Sequence, residues 1–276
     1  MASTEAAGFE CLSVNFNNWS AFGLSTRLEG AHSMQSVTKR TTLITGASSG
    51  IGEEICRRLA AREHRVVNLS ITAPPDDLPA ESFIVDLADE RQTSDILAKV
   101  IADYQVDHLV NNAGIAHEAV LEEIQLNHFQ RLFDVHVRAA LQSIQALAPR
   151  MKEQSYGRIV NMGSRTMLGK PGAASYAATK GALWSISRCF SLELAPHGVT
   201  VNMVAPGPTQ TTFFDSVMEV DDPQMVALRD SIPIGRFAQV GDIAAAVEYF
   251  LQPDAGCVTG QTLYVCGGLS VSSSSP

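Results

Sequence analysis

From residue 41 onward, apolar positions follow two alternating patterns. Short β-rich runs occupy 41–45, 65–70, 83–86, 108–110, 158–162, 200–204 and 262–265. Between most of them lie stretches of helical period, at 52–61, 89–104, 126–151, 173–194 and 240–251. Strands that alternate with amphipathic helices need crossover connections. The pattern therefore predicts an α/β chain with a single doubly wound parallel sheet and helices on both faces, spanning 39–271. The connector 72–81 breaks the rhythm, because Pro74, Pro75 and Pro79 exclude a helix there. No internal repeat or second domain is visible.

Residues 1–38 show no sustained period and lack the basic start and apolar stretch of a secretory signal; they are expected to form a disordered N-terminal extension. The tail 272–276 is low in complexity and expected to fray. With 276 residues, 45% hydrophobic and 18% charged, the chain is too apolar to be disordered and long enough for a large core. No run approaches the roughly 18 apolar residues of a membrane span. A net charge of −9 argues against a nucleic-acid partner. Five cysteines without a C-x-x-C argue against a disulfide framework and a cysteine zinc site, and no metal is expected. These features fit a cytoplasmic protein that acts on a small molecule, away from membranes and nucleic acids.

The segment Thr45-Gly46-Ala47-Ser48-Ser49-Gly50-Ile51-Gly52 joins the first strand to the first helix. Glycines let the backbone turn tightly and approach a pyrophosphate, and the helix N-terminus favours phosphate. A plain tight turn would also use glycine, but the strand–turn–helix setting favours nucleotide binding through Gly46, Ser48, Ser49, Gly50, Ile51 and Gly52. A second feature is Tyr176 with Lys180, four residues apart and so on one face of a predicted helix. A cation beside a phenol favours the phenolate and would lower the tyrosine pKa from about 10. A surface pair, with the ring packed on the lysine stem, is the plainer reading of the spacing alone.

The spacing G-x-x-x-G-x-G resembles that of the short-chain dehydrogenase/reductase family, whose first turn reads T-G-x-x-x-G-x-G. The resemblance continues in order through Asn111-Asn112-Ala113-Gly114, Ser164, Tyr176 with Lys180, and Pro206-Gly207, and covers roughly 40–270. It is similar to the 3-oxoacyl-(acyl-carrier-protein) reductase-like members and implies a Rossmann-like fold. The resemblance also implies roles. Tyr176 would exchange a proton with a carbonyl or alcohol oxygen, Lys180 would hold the nicotinamide ribose and depress the tyrosine pKa, and Ser164 would polarise the substrate oxygen. No G-x-S-x-G elbow surrounds Ser164, so a hydrolase nucleophile is not supported. One departure stands out: the family's usual helical Asn, which holds a relay water, is matched here by His136. Imidazole can donate and accept, so His136 is either a fourth catalytic group or a satisfied core histidine. Arg138 beside it could serve packing or a subunit contact.

Cofactor choice is read at the end of the second strand, Asn68-Leu69-Ser70-Ile71-Thr72, which has neither acid nor base. Without a carboxylate at Ser70 to repel a 2′-phosphate, the balance leans to NADP over NAD. Ser49 fills the turn position where many NADP-using members carry Arg. By resemblance, Asp86 with Leu87 contacts adenine; Asn111, Asn112, Ala113 and Gly114 line the cofactor, Asn111 by backbone and side chain. Thr209 and Thr211, after Pro206-Gly207, reach the nicotinamide amide. The substrate would meet Ser164, Tyr176, Arg165, Thr166, Met167, Leu168, His117 and the stretch 213–218, with Phe213 and Phe214 making an apolar wall and 213–230 a lid. Arg165 and Lys170 are either carboxylate contacts or ordinary exposed and salt-bridged bases.

The resemblance thus implies an NAD(P)-dependent enzyme that interconverts a ketone, or a 3-oxoacyl group, and a secondary alcohol. Two alternatives remain: a ring-alcohol or dihydrodiol dehydrogenase using the same residues, and a non-catalytic cofactor sensor or scaffold. A homotetramer or homodimer would pack through the helices at 126–151 and 173–194, using Ala182, Leu183, Trp184, Ile186 and Phe190. The ending Val265-Cys266-Gly267-Gly268 departs from the usual V-D-G-G and could alter a subunit contact.

Overall fold

The computed structural model describes residues 39–211 and 222–272. The expectations for 1–38, for 213–218 with Phe213 and Phe214, for the first part of a lid and for most of the tail fall outside the described residues.

In chain order the strands are β1 (Thr41–Thr45), β2 (Arg65–Ser70), β3 (Glu81–Ile84), β4 (His108–Asn111), β5 (Gly157–Met162), β6 (Val199–Pro206), β7 (Thr209–Gln210), β8 (Ala238–Gln239) and β9 (Thr262–Val265). Seven of them form one sheet in the order β3-β2-β1-β4-β5-β6-β9, with every pairing parallel. β7 and β8 make a separate parallel pair. The helices are α1 (Gly50–Ala61), α2 (Glu90–Asp103), α3 (Leu126–Phe133), α4 (Ala139–Glu153), α5 (Ala174–Leu194), α6 (Pro223–Ser231) and α7 (Val240–Leu251).

Alternation along the strands sorts side chains into two cores. Leu43, Leu69, Leu109, Ile159 and Val201 meet Leu97 and Val100 of α2, Leu147 and Met151 of α4 and Leu194 of α5. Their neighbours Ile44, Val66, Val110, Val160 and Val204 meet Ile55 and Leu59 of α1 and Ile243, Val247 and Phe250 of α7. Cover on both faces is why the central strands read as nearly unbroken apolar runs. The order of successive strands reverses at β1, which lies between β2 and β4, with Thr45 opposite Asn111 at the carboxyl ends. Open α/β sheets bind ligands at such a switch point.

Two elements differ from expectation. The third strand ends at Ile84 rather than Asp86, because Asp86 Oδ1 accepts the Ala88 N–H at 2.9 Å and turns the chain out of the sheet. The helix expected across 126–151 is divided by a π-helical turn over Asp134–Arg138 that joins α3 to α4. π turns of this kind often mark functional sites.

Three histidines are held below the ordinary value of 6.5 by burial: His64, His108 and His136, the last down to about 2. A group whose folded pKa is depressed takes its proton on unfolding, so its stabilisation is lost as pH falls below the unfolded value. For the two fully buried rings, His108 and His136, stability should therefore fall progressively as pH drops below about 6.5. Urea unfolding across pH 7.5 to 4.5 should show this slope; a flat profile would contradict it.

Candidate active site

The glycine turn is shaped by contact. Gly46 and Gly50 have φ of +74° and +59°, where a side chain is strained. A Cβ on Gly52 would lie 2.1 Å from Gly46 O and 2.5 Å from Asn112 Nδ2, and one on Gly46 would lie 2.9 Å from Ala113 Cα. The turn after β4 is fastened to this cradle. Asn112 Nδ2 donates to Thr45 O and Gly46 O at 3.1 and 3.0 Å, and the Asn112 and Ala113 N–H groups both donate to Thr45 Oγ1 at 3.0 Å. Thr211 reaches the same place, since a Cβ on Gly50 would lie 3.8 Å from Thr211 Cγ2. A backbone cradle at a helix N-terminus, kept free of side chains by glycine, fits the pyrophosphate of a dinucleotide.

A buried asparagine that sequence reasoning passed over holds the next layer. Asn68 accepts from Ala47 N–H at 2.9 Å and Ser70 Oγ at 2.7 Å, and donates to Ser48 Oγ and Ser82 Oγ at 3.2 and 3.1 Å. Ser48 in turn donates to Thr72 O at 2.9 Å. Ser48 and Ser70 therefore brace the cradle from beneath. Ser70 is 4% exposed, whereas Ile71, the next residue, is 57% exposed. At the end of β2 the Ser70 hydroxyl is thus turned to Asn68 and the Ile71 side chain to the outside. Ser49 is exposed at the start of α1.

Other expected contacts divide in the same way. Asp86 stands at the rim, with Oδ2 accepting from Arg131 at 3.2 Å. The Leu87 side chain is in the core, and its carbonyl accepts from Arg138 at 3.3 Å. Arg138 also pairs with Asp134 at 2.9 Å, so within the chain it serves packing. The Asn111 side chain is buried and donates to Asn161 Oδ1 of β5 at 2.8 Å. Pro206 ends β6. Gly207 donates to Val265 O at 2.9 Å and accepts from Thr209 Oγ1 at 2.9 Å. Cys266 is buried with Ile232 and Leu269, and a Cβ on Gly207 would lie 2.7 Å from Cys266 Cβ.

Ser164, Tyr176, Lys180 and His136 are brought together. Ser164 lies two residues beyond β5, and its Oγ accepts from both the N–H and the Oγ1 of Thr166, at 3.2 and 2.8 Å. With both lone pairs occupied, its hydroxyl proton is left to donate. Tyr176 is half-buried on α5. Burial pushes its phenol up from 10, while a hydrogen bond with Ser164 acts in the opposite sense. Lys180 is 3% exposed, donates to Met162 O at 2.8 Å, and lies 5.8 Å from the Tyr176 ring centre. Burial lowers its own pKa to about 8. The ammonium is tethered to a carbonyl on one side and lies beside the Tyr176 ring on the other. Gly114 touches both neighbours, since a Cβ there would lie 3.3 Å from His136 Nε2 and 3.7 Å from Lys180 Nζ.

On the substrate side, Met167 packs on the small cluster of Ala140, Leu183 and Met203, Leu168 is exposed, and Arg165 is half-exposed. Lys170 pairs with Glu118, so it is a salt-bridged surface base. His117 stacks edge-on against His128, with ring nitrogens 2.9 Å apart, and this pins the loop after β4 to α3.

A doubly wound sheet with a glycine cradle at its switch point, and a Ser-Tyr-Lys group beside it, defines a dinucleotide-dependent oxidoreductase. A family model described as enoyl-(acyl carrier protein) reductase matches residues 46–270, and the chain belongs to the short-chain dehydrogenase/reductase family. It is accordingly an NAD(P)-dependent enzyme of hydride transfer. It is 32% identical to the 3-oxoacyl-(acyl-carrier-protein) reductase FabG of Escherichia coli (strain K12), over 83% of this chain and 97% of that protein. It is 30% identical to a hydroxy(phenyl)methylsuccinyl-CoA dehydrogenase subunit, BbsD, of Thauera aromatica, over 85% of this chain and 98% of that one. A crystal structure described as a putative NAD(P) dependent gluconate 5-dehydrogenase from Beutenbergia cavernae, with bound NADP, superposes with a TM-score of 0.80. It shares 32% identity and covers 86% of this chain and 99% of its own.

If the 2′ end of the cofactor meets Ile71, an Ile71→Asp variant should weaken NADPH relative to NADH by at least about tenfold through charge repulsion. Ser70→Asp should instead lower the melting temperature. Titration of both variants tests this, and an unchanged NADPH/NADH ratio in Ile71→Asp would move the 2′ site elsewhere.

Proposed function

We propose that the enzyme reduces a ketone, of the 3-oxoacyl thioester kind, with NADPH, and that Tyr176 is its general acid. The observation that carries the reading is the filled acceptor side of Ser164, which aims one hydroxyl donor toward the Tyr176 phenol. A carbonyl oxygen placed between them would accept from Ser164, which polarises it, and receive the Tyr176 proton as the C=O electron pair moves onto oxygen. The cofactor, when bound, supplies the hydride to the carbonyl carbon. Gly46, Gly50 and Gly52 give it room, Lys180 holds its ribose, and Thr209 and Thr211 lie on the path to its amide. A protonated Tyr176 at neutral pH, favoured by burial, suits reduction, in which the phenol must give up a proton.

The similarity to an oxoacyl reductase supports the substrate class, and the NADP bound to the similar Beutenbergia cavernae protein supports the cofactor. The lack of an acid among Ser70, Ile71 and Thr72 agrees with that cofactor. No helix among the described residues is long and apolar enough to cross a membrane, which accords with a cytoplasmic setting. For a homodimer or homotetramer, α5 offers Trp184 and Leu192, 40% and 78% exposed; Leu183 belongs to the core with Ala140 and Met203 and is not available for such a contact.

NADPH oxidation with a 3-oxoacyl thioester, a cyclic ketone and a sugar lactone precursor ketone should single out the thioester. Tyr176→Phe should reduce kcat at least about a hundredfold with cofactor affinity retained. Turnover within tenfold of the parent would remove Tyr176 from the chemistry, and preference for the cyclic ketone would favour a ring-alcohol dehydrogenase.

A further inference from the structure

The π turn over Asp134–Arg138 places the His136 ring, 1% exposed, between the turn after β4 and α5. Both ring nitrogens are engaged. Nε2 accepts the Ile115 N–H at 3.1 Å, and Nδ1 lies 2.9 Å from Thr179 Oγ1. The Thr179 hydroxyl itself donates to the Tyr176 carbonyl at 2.9 Å. These bonds define the tautomer. A backbone N–H can only donate, so Nε2 must be the bare nitrogen and Nδ1 must carry the hydrogen that Thr179 accepts. A second proton on Nε2 would face the Ile115 N–H donor to donor.

We propose that His136 is a positioning residue: a permanently neutral imidazole that brackets the turn at 112–115 to the Tyr176-bearing helix and neither gains nor gives up a proton during the reaction. This rests on the reading of Tyr176 given above. The bracket runs from Ile115 through His136 and Thr179 to the Tyr176 carbonyl, and so sets the distance between the cofactor-side turn and the reacting phenol. The charged and titratable groups facing the ring agree with neutrality. The Lys180 ammonium lies just beyond Gly114, and the Tyr176 ring stands edge-on with centres 5.3 Å apart. Burial, aided by Lys180, holds the ring far below its ordinary value.

The direct test is nitrogen-15 NMR of the imidazole rings in the full protein from pH 5 to 9, with His136 identified by the signal missing from His136→Asn. The expected result is one neutral ring protonated at Nδ1 at every pH. Titration within that range, or a proton on Nε2, would overturn the proposal. Kinetics separate positioning from proton transfer. A glutamine amide can occupy the Nε2 position and an asparagine amide the Nδ1 position, so His136→Gln keeps the Ile115 half and His136→Asn the Thr179 half. Each should lose about tenfold in kcat, and His136→Phe, which keeps neither half, about a hundredfold. The pH profile of kcat/KM should superpose on that of the parent in His136→Gln and His136→Asn. A shift of its acid limb by a unit in either, or full activity in His136→Phe, would contradict the bracket. If His136→Phe does not fold, the other two variants decide. Should Tyr176→Phe remain active, the acid–base reading fails, while the tautomer measurement still decides the bracket.

Discussion

The site depends on one close approach, where the turns after β1 and β4 meet at the switch point of the sheet. Neither turn could carry side chains at Gly46 or Gly52, because the space is taken by backbone atoms and by the Asn112 amide. Thr45 and Asn112 satisfy the backbone groups that this approach would otherwise bury unpaired, and such groups are costly. The same contact opens a concave backbone surface on its outer side. Rigidity beneath and access above arise from one set of hydrogen bonds.

The reacting groups extend from this contact through single hydrogen bonds. Thr166 orients Ser164, and Met162 O tethers Lys180. Ile115, three residues beyond Asn112, reaches α5 through His136 and Thr179. Side chains that act on a substrate must be held in place before it arrives, since positioning and fixed electrostatics supply much of catalysis. Here the holding residues are neutral, while Lys180 is a buried cation placed beside Tyr176.

The strand–helix rhythm was legible because both faces of a parallel sheet demand apolar residues. The glycine turn was legible because a positive φ or a vanishing clearance leaves a trace in residue type. Asn68, Thr45, Asn161 and Thr179 were not, since a lone polar residue in an apolar strand or helix has many causes and its partners are distant in sequence. The inward setting of Ser70 had a readable cause. Period two puts Asn68 and Ser70 on one face, and once Asn68 is known to brace the cradle, Ser70 must lie inward and Ile71 outward. The π turn could not be read at all, because one extra residue in a five-residue stretch barely disturbs an apolar period. That turn places the His136 ring between Ile115 and Thr179.

The most direct test of the account is a titration of the protein with NADPH and NADH, followed by nicotinamide fluorescence, for the parent and for Asn112→Ala. The account predicts saturable binding to the parent and at least about a tenfold loss of affinity in Asn112→Ala, which unfastens the cradle without touching Ser164, Tyr176 or Lys180. No binding of either dinucleotide to the parent, or equal affinity in the variant, would contradict it.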